Sequence, residues 1–265
     1  MSTITELGTE PFYLKLILYG RYGSGKTYQV GELAKSRGAS PVLLIRAEDG
    51  AATIDDREGI YATPMITHVS QVRDYVYRVA HRQKTQELDY GSIGTIAVDS
   101  LSALYDMALR EAVDKACAAK PDKDPDIPSL RDYGVANFVM KRLIVELFAL
   151  PLHVIATALL REEIPEGRVS ASYRGPQLPP ALRQAALATS NYTWALHVDG
   201  EGRRTIRTRP HGVWDIKTRR NKASEKLPDL IPDPDLSKIF AFMRKAHTKK
   251  ATTPNGTNTE STANE

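Results

Sequence analysis

The sequence predicts an α/β fold: a mostly parallel sheet flanked by helices. Short apolar runs rich in β-branched residues alternate with stretches of helical periodicity, as strands joined by covering helices do. Several runs are almost continuously apolar, which suits strands buried on both faces. Between the first run and the first helix sits a loop with three glycines within six residues, Gly20, Gly23 and Gly25.

The strands are expected at about 13–19 (YLKLILY), 42–46 (VLLIR), 94–99 (GTIAVD) and 152–158 (LHVIATA). The helices are expected at Thr27–Arg37, Val72–Lys84, Ser102–Ala119 and Tyr133–Leu150, the last stopping before Pro151, a residue that cannot continue a helix. After residue 190 the grammar changes. "YTWALHVDG", "RRTIRTRP" and "VWDIKTR" are short alternating segments separated by Gly200-Glu201-Gly202 and His211-Gly212. They read as a C-terminal antiparallel β-hairpin extension. Leu236–Ala246 reads as a terminal helix, and residues 247–265, whose only apolar residues are alanines, read as a disordered tail. The organisation is thus one domain over 1–246, with a core at about 12–190 and the extension and terminal helix at about 191–246. Residues 119–128 and 161–180 read as loops; the second is long, and long loops inside compact domains usually carry function.

Composition excludes several classes. A hydrophobic content of 42% and a charged content of 26% are those of a soluble globular protein. A single cysteine, Cys117, rules out an internal disulfide and a cysteine-based zinc cluster, and the six histidines show no metal-ligand spacing. The longest apolar stretch, Leu143–Leu160, is interrupted by Glu146, Pro151 and His153, so it is not a membrane span. Residues 1–11 are polar and carry Glu6 and Glu10, so no signal peptide is expected and the expected location is cytoplasmic.

The glycine loop answers to a specific demand. Gly20-Arg21-Tyr22-Gly23-Ser24-Gly25-Lys26-Thr27 matches G-x-x-x-x-G-K-[ST] in full, with Tyr28 adjoining. Glycines let successive N–H groups converge on phosphate oxygens, and the helix that follows aims its positive end at the same anion. Lys26 is placed to reach the β- and γ-phosphates, and the Thr27 hydroxyl to ligate Mg²⁺. ATP and Mg²⁺ are therefore the expected ligands, with GTP left open. Asp99, at the carboxyl end of the strand 94–99, is the second candidate metal ligand. Glu48 follows the strand 42–46 and is the candidate general base, while Asp49-Gly50 has turn chemistry.

With these pieces placed, the chain resembles the RecA-like P-loop ATPases, and among them phage-encoded nucleotide-binding proteins associated with single-strand annealing and recombination. The resemblance rests on "GRYGSGKT" (20–27), "LLIRAED" (43–49), "IAVDSLSALYD" (96–106), "RDYGVANFVMKRL" (131–143), "HVIATA" (153–158) and "WDIKTRR" (214–220). It implies a catalytic role for Glu48 and a γ-phosphate sensor at Thr157, ending the fourth strand. It further implies a DNA loop over 161–180 that uses Arg161, Arg168, Tyr173 and Arg174. Residues 203–222 hold eight Lys/Arg against the single acid Asp215; the resemblance implies that Lys217 and Arg219, two apart and so on one strand face, reach a neighbouring subunit's phosphates. The implied partners are single-stranded DNA, further copies of the chain in a ring or filament, and a single-strand binding protein. Three functions stay open: a DNA-dependent ATPase that promotes annealing or strand exchange, a nucleotide-switched loader of a replication partner, and a small-molecule kinase. The kinase is disfavoured by the absence of a short arginine-bearing lid sequence.

Overall fold

The computed structural model describes residues 11–167 and 170–248. Five parallel strands form the centre: β1 (Lys15–Gly20), β2 (Val42–Arg46), β4 (Thr95–Asp99), β5 (His153–Glu163) and β7 (Tyr192–Val198). The short β3 (Ile60–Ala62) adds a sixth parallel strand at one edge. At the other edge β8 (Arg204–Arg207) and β10 (Leu230–Pro232) run antiparallel. The order is β10-β8-β7-β1-β5-β4-β2-β3, with β6 (Tyr173–Pro176) on β5 and β9 (Lys217–Thr218) on β7.

Strand alternation sorts the core into two layers. Ile17, Leu43, Ile45, Ile96 and Val98 face one side of the sheet. There they meet α2 (Val69–Ala80), α3 (Leu101–Ala119), α4 (Leu130–Ala149) and α5 (Pro180–Thr189). Leu16, Leu18, Val42, Leu44 and Ala97 face the other side. That side is covered by α1 (Lys26–Glu32), the 3₁₀ turn Leu33–Lys35 and α7 (Leu236–Thr248). Both faces are covered, which explains the continuous apolarity of the central runs.

Four strands and five helices, the terminal one included, lie where the sequence places them, within a few residues. The differences have physical causes. β3, with three residues, is too short to show a period, and α5 opens on Pro179-Pro180, which reads as loop although proline suits the first helical turn. β7 has the alternation of a hairpin arm and does pair antiparallel with β8, yet its other side is parallel to β1. The loop expected over 161–180 is found over 164–167 and 170–172 among the described residues, and paired strands flank it. β5 continues to Glu163 and β6 returns beside it, with Glu163 opposite Tyr173. Within the expected tail, 247–248 complete α7, and 249–265 lie outside the described residues. Among the described residues no helix is long and apolar enough to cross a membrane.

Several helix ends are closed by side chains. Ser100 accepts from Ala103 N at 3.3 Å to start α3. At the start of α4, Asp132 accepts from Ser129 N and Oγ, each at 2.7 Å, and from Lys123 Nζ at 2.7 Å. Lys15 donates to the carbonyls of Leu150 and Leu152 just past the end of α4. Gln29, on α1, donates to Pro234 O at 2.7 Å and accepts from Leu236 N at 2.9 Å, fastening the start of α7 to the helix that follows the glycine loop.

The Lys123 hydrogen bond, with those from Ser129, holds the Asp132 carboxyl down to about 2. A carboxyl depressed on folding stabilises the fold fully above its unfolded value of about 4 and loses that contribution as pH falls through the folded value. Asp132→Asn should therefore melt below the wild type at pH 7. The gap should close as the pH approaches 2, in thermal melts followed by circular dichroism.

Candidate active site

The site sits at the carboxyl ends of β1, β2 and β4, and Thr157 reaches it from the middle of β5. β1 ends at Gly20, whose missing side chain is required: a Cβ there would lie 2.4 Å from Leu196 O. Gly25 begins α1 with φ +97°, a left-handed conformation that side chains disfavour. Lys26 follows, buried, its ammonium donating to Gly20 O at 3.2 Å and Arg21 O at 3.1 Å. Burial pulls its pKa down, against the opposing pull of Asp99 and Glu48.

Thr27 Oγ1 donates to Asp99 Oδ2 at 2.6 Å. Thr157 Oγ1 donates to the other carboxylate oxygen, Oδ1. Asp99 is 2% exposed, so its two oxygens are fixed by two hydroxyls from different elements. Its backbone carbonyl accepts from Ala47 N at 2.7 Å and Glu48 N at 3.1 Å, which brings the end of β2 against the end of β4. Glu48 is half-buried there, and its pKa is raised, first by burial and then by the negative Asp99; a hydrogen bond from Ser100 and the charge of Lys26 oppose the rise. Asp49 points outward, 84% exposed and paired with Arg46 at 3.1 Å. Both acids line the cleft, and Glu48 is the one of the two whose charge couples to Asp99 and Lys26.

The donor set suits Mg²⁺. A hydroxyl and a carboxylate, both hard oxygens, lie beside the lysine ammonium. Gly50 leaves space at them: a Cβ on it would sit 3.2 Å from Thr27 Oγ1 and 3.4 Å from Asp99 Oδ2. A cleft of about 880 Å³ opens over the loop, with Tyr22, Tyr28, Glu48, Arg204, Asp233 and Pro234 among its walls. The Arg57 guanidinium lies over the Tyr28 ring at 4.3 Å.

Arg204 and the Asp233-Pro234 wall escaped the sequence reading. Arg204 Nε donates to Ser24 O at 3.2 Å, and Asp233 N donates to Arg204 O at 2.9 Å. The sequence shows Arg204 only as one of eight cations between 203 and 222; that it folds back onto the loop depends on the β7–β8 pairing.

Three expectations meet a local geometry that the sequence did not show. Thr157 does not end its strand: β5 runs six residues further, and the hydroxyl is committed to Asp99, a positioning contact. Lys217 is not a free finger. Its ammonium donates to Ser190 O at 2.6 Å and to the carbonyls of Leu187 and Ala188, closing the end of α5. β9 pairs with the first residues of β7, the opposite edge of the sheet from the glycine loop, so neither Lys217 nor the exposed Arg219 approaches the loop of its own chain. The basic loop is largely neutralised. Arg161 pairs with Glu163 at 3.0 Å and Arg174 with Glu162 at 2.7 Å. Tyr173 Oη donates to Asp215 Oδ2 at 3.1 Å, and Arg183 covers its ring at 4.3 Å. Arg168 lies outside the described residues. Glu162 also accepts from Arg21, so one carboxylate joins the glycine loop to the hairpin.

Strand order, glycine loop and the two carboxylates beside it together define a P-loop domain. A family profile described as an AAA domain matches residues 13–220, and the chain belongs to that family. Among solved structures, the crystal structure of the RadB recombinase is similar, with 16% identity and a TM-score of 0.41, over 77% of this chain and 85% of that one. No curated protein matches the chain.

If Thr157 orients Asp99, Thr157→Val should raise the Mg²⁺ concentration needed for half-maximal nucleotide turnover by about 10–100-fold. The kcat at saturating Mg²⁺ should change little. A sensor of the γ-phosphate would lose kcat at any Mg²⁺ concentration.

Proposed function

We propose that the protein hydrolyses ATP and uses the cycle to control a complex with single-stranded DNA, promoting annealing or strand exchange. The observation that carries the hydrolytic part is the Thr27–Asp99–Thr157 hydrogen-bonded set with Glu48 held at its flank. The N–H groups of the glycine loop and Lys26 hold the β- and γ-phosphates. Thr27 and Asp99 hold Mg²⁺, which supplies neutralisation of phosphate charge. Glu48 takes the proton of the attacking water as the new oxygen–phosphorus bond forms and the bond to the β-phosphate oxygen breaks, with ADP leaving. A raised pKa suits that step, because a more basic carboxylate accepts a proton more readily.

The link to DNA is supported by Glu162, which shares its carboxylate between Arg21 of the loop and Arg174 of the hairpin. A phosphate arriving at the loop competes for Arg21 and alters the balance at Arg174. The nucleotide-switched loader is the second reading, favoured by the internal pairing of Arg161, Tyr173 and Arg174, which leaves the hairpin little charge for a strand. Assembly into a ring or filament, and recruitment of a single-strand binding protein, belong to the same proposal.

ATP hydrolysis by the pure protein with and without single-stranded DNA separates the readings. Stimulation of several-fold or more, abolished in Lys26→Ala, supports the recombination reading; turnover indifferent to DNA supports the loader.

Glu48→Gln should bind ATP nearly as the wild type does and lose about 10²–10⁴ in kcat. The wild-type rate should fall as pH drops through the raised Glu48 pKa, since the protonated carboxyl cannot accept a proton. The Gln variant should lack that limb; a pH–rate profile retaining it assigns the base elsewhere.

A further inference from the structure

We infer that Arg204 is a catalytic residue acting within its own chain, a role that rests on the hydrolytic reading above. Its guanidinium meets the nucleotide's phosphates from the side of the cleft opposite Asp99 and Glu48. There it stabilises the charge that gathers on the departing ADP. Sheet order sets the two sides. Asp99 ends β4 and Glu48 follows β2, both to one side of β1, whereas Arg204 opens β8 on the other. The glycine loop follows β1 between them, and Arg204 lines the same cleft as Lys26, Thr27 and Glu48.

The fold holds the side chain in place. Arg204 Nε donates to Ser24 O at 3.2 Å, inside the glycine loop, and its carbonyl accepts from Asp233 N at 2.9 Å. A Cβ on Gly25 would lie 3.2 Å from the same Nε, so the glycine also leaves room for the guanidinium. Arginine carries N–H donors on three nitrogens. The bond to Ser24 uses Nε alone and leaves both terminal nitrogens without a partner among the described residues.

Its charge is unspent as well. The neighbouring Arg203 pairs with Asp199 at 2.8 Å and with Glu201 at 2.9 Å. No carboxylate of the described residues forms an ion pair with Arg204, although Glu48, Asp49 and Asp233 line the same cleft. A clip between β8 and the loop needs a hydrogen-bond donor and no charge, and this side chain is exposed. Lys26 is a second cation in the cleft. Like charges that share a cleft repel unless an anion lies between them.

The reaction supplies that anion and the moment at which the charge matters. The oxygen of water bonds to the γ-phosphorus, its proton passes to Glu48, and the electron pair of the broken bond moves onto the β-phosphate of ADP. A planar guanidinium with both terminal nitrogens free spans two phosphate oxygens at once. It neutralises the charge as it forms, the task an arginine finger performs in phosphoryl transfer, whether in cis or in trans. Among the described side chains between 203 and 222, Arg204 is the cation that lines this cleft. Lys26 and the metal ligands then hold the phosphates from one side, and Arg204 closes on them from the other.

The test is ATP turnover by the full chain, beside the affinity for a fluorescent ATP analogue. Arg204→Ala should lose at least about 10²-fold in kcat, while its affinity for the analogue changes by less than about tenfold. Arg204→Lys should recover only part of the loss, because an ammonium cannot span two oxygens. Free guanidinium ion, added at low concentration, should raise the turnover of Arg204→Ala and leave that of Lys26→Ala unchanged. If the alanine variant melts below the wild type, Arg204→Gln keeps an N–H donor for Ser24 O and should show the same loss of kcat. A mixture of Arg204→Ala with Lys26→Ala should hydrolyse no more than the sum of its parts. Recovery on mixing means that the arginine serves a neighbouring chain, and overturns the role in cis. A variant that keeps its kcat, or loses affinity alone, overturns the catalytic role and leaves the hydrolytic reading standing. Absence of turnover in the wild type overturns that reading itself.

Discussion

The site depends on one carboxylate. Asp99 has both side-chain oxygens and its backbone carbonyl engaged, and each bond reaches a different part of the chain. Thr27 brings the glycine loop and α1, Thr157 brings β5, and Ala47 and Glu48 bring the end of β2. A buried ionised carboxylate with no partners costs several kcal/mol or changes its protonation. Two hydroxyl donors at about 1.5–3 kcal/mol each offset that cost and fix the orientation of the group. The elevated pKa of Glu48 follows in part from the same charge nearby. Removing the negative charge of Asp99 would therefore alter the expected metal ligand and the expected base together.

How much was legible in the sequence tracks how local the information is. The glycine loop was readable in full because its demand is contiguous: backbone N–H groups of adjacent residues must converge. Asp99 and Glu48 were readable because parallel strands place their carboxyl ends at one edge. The contact of Thr157 was not, since it requires knowing that β5 continues and that Asp99 lies beside it. The hairpin at 161–180 misled for a related reason. Arg161, Glu162, Glu163, Tyr173 and Arg174 look like a charged loop in one dimension. Their partners appear only when β6 folds back in register and pairs the charges. A sequence counts cations without showing which are already spent.

Lys217 makes the same point from packing. Helices leave their last carbonyls without partners, and glycine in a left-handed cap is a common remedy. Here α4 and α5 end at Leu150 and Ser190 instead. Lysines from distant strands, Lys15 and Lys217, supply the donors. Each sacrifices solvation: the Lys15 pKa is lowered to about 8 by burial, and that of Lys217 is lowered by burial and by Arg219. A basic residue on a late strand can thus be a structural plug at a helix end, and its charge says nothing by itself about a ligand.

Gln29 bonds to both Pro234 and Leu236, more than two hundred positions away, and Arg204 rests on Ser24. The cleft over the glycine loop therefore has a floor made early in translation and walls made late. A ribosome-bound chain displays the phosphate-binding loop well before residues 233–236 emerge to enclose it. Synthesis proceeds at about 5–20 residues per second, so the floor waits on the order of ten seconds for its walls. The enclosed cleft is then a property of the finished chain, and its completion marks the moment at which the two ends of the fold have met.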